Sequence, residues 1–292
     1  MPISGYSVWE VQQAGNDNNS GCFDPNATMT STLATSNGLN SNPSVTASNY
    51  TFVSDDIGHY LYIKSGGGWY PGWYKILSVS SGSATVQASI NQGTSANGTI
   101  TNIVGVGSSN TLSSGTWAVD YSQKPTAFKV YTDLFTFTNT GVNSAAQPFT
   151  PNLIGNVLNV TGGTNYFTGR FVINSIASGN AALDRTIAPS GTSGGQATLG
   201  GAMASVQMCV NSQYLHASAS QWTKTFIKND NEYLVSSTVS FISHYYPFLI
   251  GYGSVRGDNQ KARFKFTADN INWFAPITQV PQKLTAMNLR FD

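Results

Sequence analysis

Residues 52–86 align with residues 149–183 without a gap, at a constant offset of 97. An internal repeat of this kind limits the architecture before any single motif does. The identities are Phe52/Phe149, Ile57/Ile154, Gly58/Gly155, Leu61/Leu158, Gly66/Gly163, Gly72/Gly169, Ile76/Ile173, Ser78/Ser175, Ser81/Ser178, Gly82/Gly179 and Ala84/Ala181. Conservative pairs such as Ile63/Val160, Tyr74/Phe171 and Val86/Leu183 fall where a strand needs apolar residues. Each copy reads as a three-strand unit. In the first, Tyr60–Ile63 puts Leu61 and Ile63 on one face by the two-residue period, and Tyr74–Val79 and Ala84–Ala88 form a hairpin across Ser81-Gly82-Ser83. The second copy assigns the same roles to Val157–Val160, Phe171–Ile176 and Ala181–Leu183. The expected fold is all-β: two tandem small β modules and a further β-rich C-terminal region.

Composition supports this and excludes several classes. Only 9% of the 292 residues are charged, glutamate occurs twice, at Glu10 and Glu232, and there are 29 glycines. Such a chain is strand-and-turn material rather than a helical bundle or coiled coil. A net charge of +1 supplies no field for general nucleic-acid or membrane-surface binding, and no apolar run has the length of a membrane span. The first residues lack a basic and apolar leader pattern, so no secretory signal is expected. Cys22 and Cys209 form no metal-type pair and read as buried thiols, with a disulfide as the alternative.

Four segments follow: an N-terminal arm with a turn-rich loop (1–27), a first β module (28–117), a second (118–201), and a C-terminal region (202–292). In the last, Ala202–Val210 is the one plausible helix. Leu234–Phe241, Phe248–Ile250 and Phe264–Phe266 read as strands or short apolar runs, and eight of the fourteen basic residues lie from Lys224 onward.

Several strings resemble one family. Val8-Trp9-Glu10-Val11 with Ala14–Pro25, Asp120-Tyr121-Ser122-Gln123, Ile154–Gly163, Leu183-Asp184-Arg185, Leu199–Ala202 and Ile250–Asp258 occur in this order in bacteriophage virion structural proteins whose small β modules precede a right-handed β-helix. The resemblance covers roughly the whole chain except residues 28–117, which look like an extra module inserted between Pro25 and Asp120. It implies a C-terminal region resembling the start of a β-helix. Only 34 residues follow Asp258, a length expected to be too short for a solenoid. The part of such proteins associated with polysaccharide binding or cleavage is then missing.

Candidate sites are few. Asp55-Asp56 is a carboxylate pair, but neighbouring strand residues face opposite ways and the second copy has Asn152-Leu153 there. His59, His216 and His244 show no metal spacing and read as solvent or turn residues. No nucleophile elbow, phosphate loop or dinucleotide fingerprint is present. No catalytic, cofactor-binding or metal residue is therefore assigned. Asp17 with its amide neighbours reads as a hydrogen-bonded turn rather than a calcium loop. Arg256-Gly257-Asp258 reads as a turn rather than an adhesion tripeptide. Trp73, which the second copy replaces by Arg170, is the aromatic expected at a surface, for a protein interface or a glycan. Lys261, Arg263 and Lys265 alternate with Ala262, Phe264 and Phe266, giving a strand with one basic and one apolar face. A guarded edge strand is the plain reading and docking on an acidic partner the functional one.

The expected function is that of a non-enzymatic structural protein on the surface of a phage particle. The leading role is a capsid decoration or cement protein that forms a homotrimer on the major capsid protein. The alternative is a tail-associated fibre or spike base, or an adhesin, that binds a host glycan. Trp73, Lys261, Arg263, Lys265, Phe264 and Phe266 are the expected interface residues. Three-fold closure would cover an unpaired sheet edge and an apolar face in the C-terminal region.

Overall fold

The computed structural model describes residues 7–27, 30–36, 42–65, 71–87, 111–216, 221–241, 245–267, 274–276 and 285–292. The N-terminal arm contributes β1 (Val8–Val11) and β2 (Cys22–Phe23). A first closed barrel follows, of β3 (Thr30–Ser36), β4 (Ser44–Ala47), β5 (Tyr60–Ser65), β6 (Gly72–Ser80), β7 (Ser83–Val86) and β8 (Thr111–Asp120), joined in the order β3-β4-β7-β6-β5-β8. A second is built from β9 (Lys129–Thr138), β10 (Gly141–Asn143), β11 (Val157–Gly162), β12 (Gly169–Ala177), β13 (Asn180–Leu183) and β14 (Gly195–Leu199), in the order β9-β10-β13-β12-β11-β14. The orders are the same, so the duplicated unit is a whole six-stranded antiparallel barrel, larger than the three strands that align. The last strand of the first barrel runs through the expected 117/118 boundary to Asp120.

The repeat is preserved in detail. β5, β6 and β7 begin and end 97 residues before β11, β12 and β13, as the one-turn 3-10 helix Ser54–Asp56 does before Pro151–Leu153. Both β6 and β12 are bulged, at Ile76/Ser78 and at Ile173/Ser175. Both hairpins turn through two residues of positive φ, Ser81 (48°) with Gly82 (79°) and Ser178 (49°) with Gly179 (81°). This is the backbone twist that a two-residue hairpin needs and that glycine supplies at no steric cost.

The identities lie where they pack. Phe52, Leu61, Ile76 and Ala84 are buried in the barrel interior, as are Phe149, Leu158, Ile173 and Ala181. The outward faces are also covered. In β11, Leu158 and Val160 point into the barrel while Val157 joins a second core with Trp9, Val11, Cys22, Cys209 and Ile227.

The expected helix is displaced. α1 spans Val206–His216, because Ala202 and Met203 are held by the arm: the Ala202 carbonyl accepts from Asn16 N–H, and Met203 exchanges bonds with Glu10 and Gln12. After α1 the chain winds. One coil is β15 (Gln221–Lys228), β16 (Glu232–Val235) and β17 (Val239–Phe241), so the expected single strand over 234–241 breaks in two. The next is β18 (Tyr245–Tyr252), β19 (Ala262–Phe266) and β20 (Phe274–Pro276), and β21 (Thr285–Met287) and β22 (Leu289–Phe291) begin a third. Each strand pairs in parallel with its counterpart one coil away. The expectation that this region is too short for a solenoid is therefore corrected: two coils and part of a third stack as three parallel sheets. Inside them, Tyr233, Phe264 and Phe291 stack coil over coil with ring centroids 5.2 and 5.7 Å apart. β1 pairs in parallel with β15 and α1 packs on β1 and β17, so both cover the start of the stack.

Equivalent barrel interiors have a direct consequence. Leu61→Ala and Leu158→Ala each remove a fully buried side chain from the same place in its barrel, and each is expected to cost about 2–5 kcal/mol. Denaturant unfolding of the two variants checks this, with losses of similar size expected. A neutral Leu158→Ala beside a costly Leu61→Ala would contradict the equivalence.

Candidate functional site

The convergent chemistry lies where the two copies differ. At the position shared by Trp73 and Arg170, each barrel reaches toward the rest of the chain with a different side chain, and the two form separate joints.

The joint of the first barrel is centred on Arg256, in the loop after β18. Its guanidinium donates to Glu10 Oε2 through Nε (3.1 Å) and Nη2 (2.9 Å), to Asp120 Oδ2 (2.8 Å) and to Ser122 Oγ (3.2 Å). It lies over the rings of Tyr60 at 4.8 Å and Phe226 at 4.9 Å. Its side chain is 5% exposed and both carboxylates are fully buried. Two carboxylates share one guanidinium, so when both are ionised one negative charge is left over, and neutral donors serve it. Tyr252 Oη and Gln12 Nε2 donate to Glu10 Oε1. Trp73 Nε1 (3.2 Å), Ser122 N (2.9 Å) and Ser122 Oγ (2.6 Å) donate to Asp120. Burial raises the Glu10 carboxyl to about 7, against the pull of Arg256. Burial also acts against the charge of Arg256, but Asp120 and Glu10 outweigh it and hold the guanidinium protonated.

The loop that delivers Arg256 is built by its neighbour. Asp258 accepts from the backbone N–H of Gly253, Ser254, Val255 and Gln260. Burial disfavours its charge, yet these bonds hold its carboxyl below the usual range. Arg256-Gly257-Asp258 is thus a turn whose two charged groups are committed inward, not an adhesion tripeptide offered to solvent.

The joint of the second barrel uses Arg170. It donates to the carbonyls of Ser20 (2.8 Å), Asn19 (2.8 Å) and Asp17 (3.2 Å) and to Ser212 Oγ (2.8 Å), and burial lowers its pKa. Asn159, in the place of Tyr62, donates to the Asn18 carbonyl at 2.7 Å. Asp17 accepts from Ala204 N, Ser205 N and Ser205 Oγ, each at 2.9 Å. The loop at 15–21 is therefore a hydrogen-bonded tie to the start of α1, in agreement with the turn reading. Among the described residues, no group of three His, Cys, Asp or Glu residues is placed to hold a metal.

Between the barrels, Asp56 accepts from Tyr50 Oη (2.9 Å), Tyr121 Oη (2.7 Å) and Val53 N (2.9 Å), and burial raises its pKa. Asn152 Nδ2 donates to Tyr121 Oη. Asp55 is exposed while Asp56 is buried, so the pair does not converge. His59 is not the solvent or turn residue expected. It is buried against Tyr121 (4.8 Å) and Phe128 (5.6 Å), and burial holds it neutral. His216 ends α1, and His244 lies outside the described residues.

The expected interface residues divide. Trp73 is half-buried, packed on Tyr62 at 4.2 Å and bonded to Asp120, so it belongs to the joint rather than to an outer surface. Phe264 is buried in the aromatic stack, which corrects its assignment to an interface, and Phe266 is partly buried beside the same core. Lys261, Arg263 and Lys265 are exposed on the outer face of the coil, as the alternation implies. Arg263 lies 3.9 Å from Asp292 and Lys265 3.9 Å from Glu232, so two of the three have acidic neighbours. Cys22 and Cys209 are free, buried thiols.

The reading of individual motifs missed Glu10, Asp120 and Arg256 as a set. The available signal was an acid inside the apolar run Val8-Trp9-Glu10-Val11, which requires a buried partner. Compared with known proteins, the chain matches no family model, no curated protein and no solved structure.

Glu10 gives a pH test. Its carboxyl binds a proton more readily in the folded chain than at the ordinary value of 4.5. The stability it contributes is therefore fully present below about 4.5 and is lost as pH rises through about 7. Measured by urea unfolding, the native chain is expected to lose on the order of 2 kcal/mol more than Glu10→Gln between about pH 5 and pH 8. Parallel stability profiles for the two proteins would contradict the raised pKa.

Proposed function

We propose that this chain is a non-enzymatic structural protein of a tailed-phage particle, exposed on the particle surface. The observation that carries the reading is the use made of its charged groups. Glu10, Asp120, Arg256, Arg170 and Asp56 are buried and spent on internal ties: Arg256 joins the coiled stack to the arm and the first barrel, Arg170 joins the second barrel to the arm and α1, and Asp56 is bonded between the barrels. Such ties suit a part that transmits load or cements neighbours. As a capsid decoration protein it would bind the major capsid protein as a homotrimer, stabilising the shell through buried interface area. The outer basic face of Lys261, Arg263 and Lys265 suits an acidic partner surface.

The second reading is the base of a tail fibre or spike. A specific observation favours it: the C-terminal region winds into stacked parallel coils. The last ring of the aromatic stack, Phe291, is 44% exposed.

The test uses purified protein with expanded empty capsids and, separately, with host cells. A trimer in sedimentation that pellets with capsids is expected. Lys261→Glu, Arg263→Glu and Lys265→Glu together are expected to weaken that binding at least about tenfold. Binding to cells but not capsids would favour the tail reading. A monomer that associates with neither would overturn both.

A further inference from the structure

Outward positions at which the two barrels differ meet a neighbour: Trp73 and Arg170, like Tyr62 and Asn159, each serve a joint. One further set of differences faces no joint. Four phenylalanines are exposed among the described residues, and three of them, Phe135 (38%), Phe137 (39%) and Phe167 (58%), belong to the second barrel. Phe135 and Phe137 alternate with the buried Leu134 and Thr136 on β9 and so share its outer face. Phe167 stands at the same end of the barrel, because its N–H donates to the Ile187 carbonyl and Ile187 N–H donates to the Asn139 carbonyl just past β9.

The register shows that this face is built into one copy alone. β10 pairs with β9 as β4 pairs with β3: Val142 lies opposite Thr136 as Val45 lies opposite Thr35, and Asn143 opposite Phe135 as Thr46 opposite Ala34. Phe135 therefore stands where the first barrel has Ala34. Phe137 has no counterpart. Gly141 pairs with Thr138 and Val142 with Thr136, so Phe137 is the extra residue of a bulge, whereas Ser44 and Val45 pair with the consecutive residues Ser36 and Thr35. Bulges re-aim side chains. The ring of Phe137 lies over Gly141, where a Cβ would come within 2.5 Å of it, and the first barrel has Ser44 at that place. A substitution, an inserted residue and a glycine thus act together to display two rings that fill no core. With Phe167 they leave on the order of 250 Å2 of apolar side chain open to solvent, enough for the centre of an interface of about 800 Å2 per partner.

The surroundings of the rings set the chemistry of the partner. Phenylalanine has no polar handle, and the polar groups beside it are in use: Asn139 Oδ1 accepts from Ser190 N, Ser190 Oγ donates to the Phe137 carbonyl and Thr192 Oγ1 to the Pro189 carbonyl. A hydroxylated ligand finds little to bond here. The acid nearest in sequence, Asp133, is held by Ser144 Oγ (2.6 Å) and Ala146 N (2.9 Å), and Lys129 lies at the other end of β9. A face of rings without charge is complementary to itself. Copies meeting about a symmetry axis set ring on ring and bring no like charges together, which the basic face of Lys261, Arg263 and Lys265 could not do.

We propose that the Phe135, Phe137 and Phe167 face of the second barrel is the surface on which copies of this chain associate. The inference rests on the self-association in the reading above and not on the phage particle, and it places the contact on the second barrel rather than on the coil.

The experiment is sedimentation velocity of the full chain over about 1–50 μM. An oligomer is expected. Phe135→Ala with Phe137→Ser, and separately Phe135→Asp, are each expected to raise the concentration of half-dissociation at least about tenfold. Both positions lie outside the cores, so the circular dichroism of the native chain is expected to be kept. The milder double variant carries the test if the aspartate disturbs the fold. An oligomer of unchanged affinity in the folded variants would overturn the assignment while the self-association reading stands. A native chain that stays monomeric at about 50 μM would overturn it as well, and pelleting of that monomer with capsids would leave the particle reading in place. Capsid binding by such a monomer that is lost in the same variants would give the face to the capsid protein, again against the proposal.

Discussion

The arrangement of this molecule depends on one guanidinium. Arg256 binds Glu10, which lies 246 residues away in sequence, and Asp120, which lies 136 away. The three come from the coiled stack, the N-terminal arm and the end of the first barrel. A buried triad of this kind is a poor source of net stability, because desolvating three charges offsets most of their attraction. Breaking it is costly, since removing Arg256 leaves two carboxylates in a dry interior. The joint therefore does more to fix how barrel, arm and coil meet than to raise the total stability. Tyr60 links the same elements twice, by its ring under the guanidinium and by its hydroxyl accepting from Arg256 N–H at 2.9 Å.

Duplication followed by divergence accounts for the rest. The barrel interiors stay alike because six strands closing on one core tolerate little change in volume. The outward positions differ because each barrel meets a different neighbour. Trp73 and Tyr62 pack toward Asp120 and Phe23. Their counterparts Arg170 and Asn159 bind carbonyls of the arm. Lys75 donates to the Ser254 carbonyl, while its counterpart Val172 joins the apolar core beneath α1 and the coil. Comparing the two copies thus separates packing from docking within one chain.

Much of this was legible in the sequence. The repeat at offset 97 located β5 to β7 and β11 to β13 because packing residues and turn glycines recur there. The other strands escaped: 24 residues separate β7 from β8 but 11 separate β13 from β14, so the constant offset ends there, while β4 and β10 keep the offset and share only Val45/Val142. The coils were implied by the resemblance to a β-helix start but not by any period in the residues. Thr225 pairs with Leu249, 24 residues on, and Leu249 with Ala286, 37 on, so unequal spacings erase any visible period. The joints were illegible residue by residue, because their partners are far apart and a lone Arg256 beside two glycine-rich turns looks like surface. The differences at Trp73/Arg170 and His59/Asn156 were visible, but His59 looked solvent-facing because nothing local shows that Tyr121 and Phe128 enclose it.

The central claim is that Arg256 couples the first barrel to the coil, and calorimetry of Arg256→Met measures that coupling most directly. The account predicts that the native chain unfolds with barrel and coil in one transition. In the variant it predicts an earlier transition that separates into two, with a loss of about 3–5 kcal/mol. A variant with the native thermogram, or one shifted without separating, would show that the modules are held together by something other than this triad.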